Sequence, residues 1–379
     1  EDDEEEEDFT SEKLSLSNLL FSRLTNDLKE KSPIIEEEEE DDEDDILRST
    51  SSLVSSKSKN LPKTVIGLTR MKDANVKDPC WSMARQVKFH PTTPLLLTAG
   101  YDKTLRLFQI DGKENTKLQS VKFSDLPIQS AFYTKGGEEI ICTGKRRHFY
   151  TFDLTTGDYM RSNGIRGVDG NSFENAYGND EYMTVLLNDT AVLLSTKTKQ
   201  WIANFKMNGK VNSASFSNDN STLSTCGSDG EVYIWDLRQR KCIHRYRDDG
   251  AVQCTAIGQS SKYTAIGSTS GIVNLYSNND IHNTNTPKPL KEISNLTTAT
   301  SHVKFNHDSQ ILGISSFDLE NQLRLVHLPS ATVFSNFPAV NEPLNHVTDF
   351  DFSPHSGFLA VGSRSGRVLL YRLNYYEAA

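Results

Sequence analysis

The run Leu223-Ser224-Thr225-Cys226-Gly227-Ser228-Asp229-Gly230-Glu231-Val232-Tyr233-Ile234-Trp235-Asp236-Leu237 decides the fold. Two short alternating apolar stretches flank a Gly-Ser-Asp-Gly turn. Gly227 and Gly230 are expected to supply the positive φ that a tight hairpin needs, and Asp229 to bond the amides of its own turn. Tyr233 and Trp235 fall on one face of the second stretch, and Val232 and Ile234 on the other. That strand should therefore be buried on both sides. A lone hairpin cannot cover two apolar faces, so further copies are required.

Copies are present. Val211-Asn212-Ser213-Ala214-Ser215-Phe216 precedes the hairpin, followed by a polar turn at Ser217–Asn220. The same shape recurs at Val87-Lys88-Phe89, Gln129-Ser130-Ala131-Phe132, Val303-Lys304-Phe305 and Asp349-Phe350-Asp351-Phe352. The anchors Phe89, Phe132, Phe216, Phe305 and Phe352 are separated by 43, 84, 89 and 47 residues. A propeller blade takes roughly 40–45 residues, so each long gap holds two units. Degenerate copies near Tyr177 and Ile257 bring the count to seven. With Trp235-Asp236 closing its third strand, the opening stretch is the inner hairpin of a WD40 blade. The fold class is all-β: a seven-bladed WD40 β-propeller with an acidic N-terminal tail expected to be disordered apart from a short helix. The Trp-Asp position reads Phe108, Phe152-Asp153, Trp235-Asp236, Tyr276 and Tyr371 elsewhere, so the propeller is divergent.

Two domains follow: an acidic tail at 1–60 and a propeller at 61–379. The blades are expected at about 84–121, 128–161, 171–205, 211–246, 251–293, 300–337 and from His346 on. Their hairpin turns include Gly100–Lys103, Gly144–Arg147, Asn188-Asp189 and Ser268–Gly271. The last unit has only three strands, and an open ring would leave an unpaired edge. The apolar run at 64–68 is expected to fill it beside Arg367–Leu373. Met71–Ser82, with Trp81, would then bridge to the first blade.

The net charge of −10 hides an asymmetry. Residues 1–46 hold 21 acids and 4 bases, or −17; the remainder holds 30 acids and 37 bases, or +7. An acidic tail on a basic body points to traffic with nucleic acid or another polyanion. The plainer reading is that the acidic runs keep a tail solvated. Between those runs, Leu16, Leu19, Leu20, Leu24 and Leu28, with Phe21, recur at helical spacing near 14–29. A lone helix of this length is marginal in water, so a docking helix that folds on a partner is expected. The alternative is a helix packed on the protein's own body. The sequence does not begin with Met, so its first residue is read as internal to a longer protein. No run approaches the roughly 18 apolar residues of a membrane helix, and no secretory leader is evident, so no membrane partner is expected.

Catalytic and metal chemistry find no support. The five Cys, at 80, 142, 226, 242 and 254, lack paired spacing, and the nine His are dispersed. Gly267–Gly271 centres on Thr269 and Gly362–Gly366 on Arg364, so neither is a nucleophile elbow. Gly144-Lys145 lacks the earlier glycine of a phosphate loop, because Glu139 stands there. No cofactor is expected, and the protein is read as a non-enzyme. What stands out is basic. Lys145, Arg146 and Arg147 occupy one turn; Arg238, Arg240, Lys241, Arg245 and Arg247 follow the Trp-Asp pair; Arg364 and Arg367 flank the last turn. Such residues on a propeller rim suit RNA phosphates or partner proteins, or are simply solvated turns.

The acidic N-terminus, the divergent seven-unit pattern and Trp81-Ser82-Met83-Ala84-Arg85 together resemble a nucleolar WD40 family, the eighteenth of the U3 small nucleolar RNA-associated set. The resemblance covers 61–379. It implies a scaffold in the UTP-B module of the small-subunit processome, acting in the nucleolus, within the nucleus, on maturation of 18S ribosomal RNA. It also implies other UTP-B WD40 proteins, U3 small nucleolar RNA and pre-ribosomal RNA as partners. The family carries a Leu-Phe-x-x-Asp motif that docks the exosome-associated RNA helicase. Here Leu20-Phe21 is followed by Ser22, Arg23 and Leu24, so that partner would be reached through sequence not present. The rival reading is a substrate receptor or adaptor of another nuclear complex such as a ubiquitin ligase, for which no recruiting domain is seen.

Overall fold

A computed structural model describes residues 61–164, 172–281, 284, 286–339 and 343–376. The tail and its expected docking helix (Leu16, Leu19, Leu20, Phe21, Leu24, Leu28) lie outside the described residues.

The chain forms seven four-stranded antiparallel sheets. Blade one is β2 (Ala84–Phe89), β3 (Leu95–Gly100), β4 (Thr104–Gln109) and β5 (Thr116–Lys122). Blade two is β6 (Ile128–Thr134) to β9 (Tyr159–Asn163), and blade three is β10 (Asn175–Gly178) to β13 (Trp201–Lys206). Blade four is β14 (Val211–Phe216), β15 (Thr222–Gly227), β16 (Glu231–Asp236) and β17 (Lys241–Arg247). Blade five is β18 (Cys254–Gln259) to β21 (Lys291–Ile293), and blade six is β22 (His302–Phe305) to β25 (Thr332–Val333). Blade seven is β26 (Val347–Phe352), β27 (Phe358–Ser363) and β28 (Val368–Leu373), with β1 (Leu68–Arg70) as its outer strand.

The opening hairpin shows why the sheets stack. Tyr233 and Trp235 pack with Phe205 and Leu193 of blade three. Val232 and Ile234, on the opposite face, pack with Ile257, Ile266 and Tyr276 of blade five. Each blade thus completes its core only against both neighbours. Trp235 stacks between Phe205 and Tyr233, at ring separations of 4.9 and 5.6 Å. Its indole N–H donates to Thr225 Oγ1 at 2.9 Å, so the buried polar atom is satisfied. Asp236 accepts from the amides of Arg238 and Gln239, at 2.7 and 2.8 Å, and so closes the next turn. Of the two turn glycines, only Gly230 has positive φ, at 73°. Gly227 ends β15 in ordinary backbone, and its requirement is space: a Cβ there would stand 3.0 Å from Met207 Cε and 3.1 Å from Lys210 O.

The closing strand lies further along the chain than the sequence indicates. The expected strand at 64–68 is replaced by Leu68–Arg70, in the register Leu68↔Leu373, Thr69↔Arg372 and Arg70↔Tyr371. The apolar run before it serves as a latch on blade six. Asn336 brackets Ile66, taking its N–H at Oδ1 (3.1 Å) and donating to its carbonyl from Nδ2 (2.6 Å). Ile66 is buried while Val65 faces solvent, so their apolarity does not mark a strand of blade seven. An outer strand has one wet side, so polar Thr69 and Arg70 serve there.

A basic face and a charged channel

In a four-stranded antiparallel blade, the second-to-third turn and the link to the next blade share one end. The other two turns share the opposite end. This divides the ten basic residues picked out by the sequence. Lys145, Arg146 and Arg147 lie between β7 (Glu139–Gly144) and β8 (His148–Asp153), and Arg364 and Arg367 between β27 and β28, all on the linker face. Arg238, Arg240 and Lys241 lie at the turn between β16 and β17, on the opposite face. Arg245 and Arg247 lie along the outer strand of blade four, with Arg247 level with Glu231.

Exposure and pairing divide them further. All ten are exposed. Arg367 is held by Asp73 at 2.7 Å, and Arg245 by Glu231 at 2.9 Å. Arg245 also lies 5.5 Å from the Tyr233 ring, and its neighbours Tyr233 and Glu231 raise its pKa. Among the described residues, no ion-pair partner is found for Lys145, Arg146 and Arg364 on the linker face, nor for Arg238, Arg240, Lys241 and Arg247. Sequence reasoning could not make this distinction, because Asp73 lies 294 positions from Arg367.

A feature the sequence did not disclose lines the central channel, a cavity of about 470 Å³ walled by the first strands of the blades. Asp349, fully buried, receives Lys304 Nζ at 2.7 Å, Gln86 Nε2 at 2.6 Å and the Val87 amide at 3.1 Å. Asp351 accepts from the Phe89 amide at 2.9 Å and faces Lys304 at 3.5 Å. Burial alone would raise the Asp349 pKa, but Lys304 foremost, with His302 and Lys88, brings it below the usual carboxylate range. Burial lowers His302 to about 4. Its signal was the alternation Asp349-Phe350-Asp351-Phe352, whose acids point to the channel while the phenylalanines enter the core.

Four of the five cysteines are buried and Cys242 is exposed. Burial pushes the Cys80 thiol up to about 11, which suits packing rather than nucleophilic chemistry. Among the described residues no cluster of His, Cys, Asp and Glu could hold a metal ion, and no helix is long and apolar enough to cross a membrane.

The WD domain, G-beta repeat family matches residues 73–109, 200–236 and 340–372. A probable U3 small nucleolar RNA-associated protein 18 of Schizosaccharomyces pombe is 33% identical over 93% of the chain, which spans 68% of that relative. The chain belongs to the U3 small nucleolar RNA-associated protein 18 family. Homologues in Arabidopsis thaliana and Homo sapiens are 41% and 37% identical over 88% and 87% of the chain. The chain spans 62% and 61% of those two relatives' lengths.

Proposed function

We propose that the protein is a non-catalytic scaffold of ribosome biogenesis, working in the nucleolus on the precursor of 18S ribosomal RNA. In this reading it sits in the UTP-B module of the small-subunit processome, beside other WD40 subunits. It contacts U3 small nucleolar or pre-ribosomal RNA through phosphates, with no cofactor and no membrane. The observation that carries the RNA contact is the surplus of Lys145, Arg146 and Arg364, exposed on one face without carboxylate partners. Such contacts are electrostatic and independent of sequence. Arg147 completes the blade-two turn. Arg238, Arg240 and Lys241, on the other face, suit a partner subunit or a second stretch of RNA.

Depleting the protein in its own organism tests this. The expected result is loss of mature 18S ribosomal RNA, with the large-subunit ribosomal RNA unaffected. Normal 18S ribosomal RNA after full depletion would overturn the reading.

A further inference from the structure

Trp81 is 89% exposed, in a protein whose other two tryptophans are buried (Trp235) or half exposed (Trp201). Leaving an indole in water is unfavourable, and its backbone is held firmly enough that it does not fold away. Asn75 donates to Gly366 O at 2.7 Å and accepts from the Val368 amide at 3.0 Å. Asp78 is gripped by Arg106 at 3.1 Å and Lys117 at 2.7 Å. Gly366, at φ +82°, approaches so closely that a Cβ would stand 2.2 Å from Cys80 O and 2.6 Å from Ser82 O. The Tyr101 amide donates to Met83 O at 3.4 Å. Trp81 is therefore fixed on the linker face between the turns of blades seven and one.

Most carboxylates along this arc are already occupied: Asp73 by Arg70 and Arg367, Asp78 by Arg106 and Lys117, Asp102 by Arg106, and Asp125 by Arg161. Glu174, beside the blade-two turn, accepts from Ser172 Oγ at 3.2 Å, and Glu320 faces His346 at 3.7 Å. Arg364 on blade seven and Lys145 and Arg146 on blade two, either side of Trp81 and Tyr101, have no such partner among the described residues. An exposed aromatic on an anchored backbone, with unpaired bases to either side, is the chemistry of single-stranded nucleic-acid binding. The aromatic ring takes a base face and the cations take the backbone.

We propose that Trp81 is the stacking platform of a single-stranded RNA path that crosses blades seven, one and two on the linker face. This rests on the RNA-contact reading above and assigns it a nucleotide conformation: bases unstacked from a duplex, one lying on the indole. A duplex keeps its bases internal and offers Trp81 no face.

The test uses the full chain and a fluorescein-labelled single-stranded RNA of about a dozen nucleotides, with the same RNA annealed to its complement as control. Trp81→Ala should weaken single-strand binding about ten- to a hundredfold and leave duplex binding unchanged, while Trp81→Phe stays within about threefold of the parent. RNA should quench the parent's tryptophan fluorescence but not that of Trp81→Phe. If the parent binds and the Lys145/Arg146/Arg147 reversal weakens it, yet Trp81→Ala binds like the parent, the inference fails and the RNA reading stands. If Trp81→Ala instead loses a protein from the purified complex with RNA affinity intact, Trp81 is a protein anchor and the inference is wrong. A parent with no affinity for RNA overturns both.

Discussion

Asp349 in blade seven accepts the amide of Val87 in blade one, at 3.1 Å, and so fastens the seam where the ring closes on itself. Thr348 Oγ1 donates to Ala84 O across the same seam. The outer edge is fastened by β1, and the channel side by a buried carboxylate held by Lys304 of blade six.

Removing two members of this group together should therefore cost less than the sum of removing each alone. Asp349→Asn strips the half-buried Lys304 of its main counter-charge and should cost about 1–3 kcal/mol in denaturant unfolding. Lys304→Met alone should cost a comparable amount. The double variant should lose clearly less than the sum, and strict additivity would show that the pair is not coupled.

The same group sets a pH dependence. His302 titrates at about 4 in the fold, because burial disfavours its charge, against about 6.5 when unfolded. The unfolded chain therefore takes up this proton first, and stability should fall as pH falls from about 6.5 to about 4. Asp349, held below its usual range by Lys304 against the effect of burial, adds stability above about pH 4 that is lost as pH falls through its folded pKa. Stability measured at fixed temperature across pH 7 to 4 should flatten in His302→Asn; a profile identical to the parent would remove His302 from the account.

The latch on blade six gives a sharper contrast. Ile66 is 1% exposed and its neighbour Val65 is 52% exposed. Ile66→Ala should cost about 2–5 kcal/mol, and Val65→Ala less than about 0.5. Equal effects at the two positions would mean that this segment does not dock as described.

The count of seven, the antiparallel blades and the closure by an early strand were all legible in the sequence, because the alternation of β14 to β16 repeats at a fixed period. The position of the closing strand was not. Val65, Ile66 and Leu68 look like strand residues, and only Asn336, 270 positions away, shows that Ile66 is fixed through a side-chain amide. The basic turns were legible as charge, but their sorting was not. Which arginines are already paired depends on contacts such as Arg367 with Asp73, and which face they share follows from strand direction within each blade. Trp81 stood out as a residue, yet its exposure depends on the approach of Gly366.

The Trp-Asp hairpin carries its own prediction. Thr225→Val keeps the shape but strands the Trp235 indole N–H in the core, at about 1–3 kcal/mol. Thr225→Ser keeps the acceptor and should lose less. If the two variants unfold at the same denaturant concentration, the hydrogen bond is not what fixes the indole.

The central claim is that the linker face meets RNA through phosphates, and the salt dependence of binding tests it most directly. Affinity of the full chain for single-stranded RNA should fall linearly on a log–log plot, by about 0.7 in slope for each phosphate neutralised. Replacing Lys145, Arg146 and Arg147 together with Glu should weaken binding and flatten the slope by about two units or more. An affinity and a slope equal to those of the parent would contradict the claim and leave this turn as solvated surface.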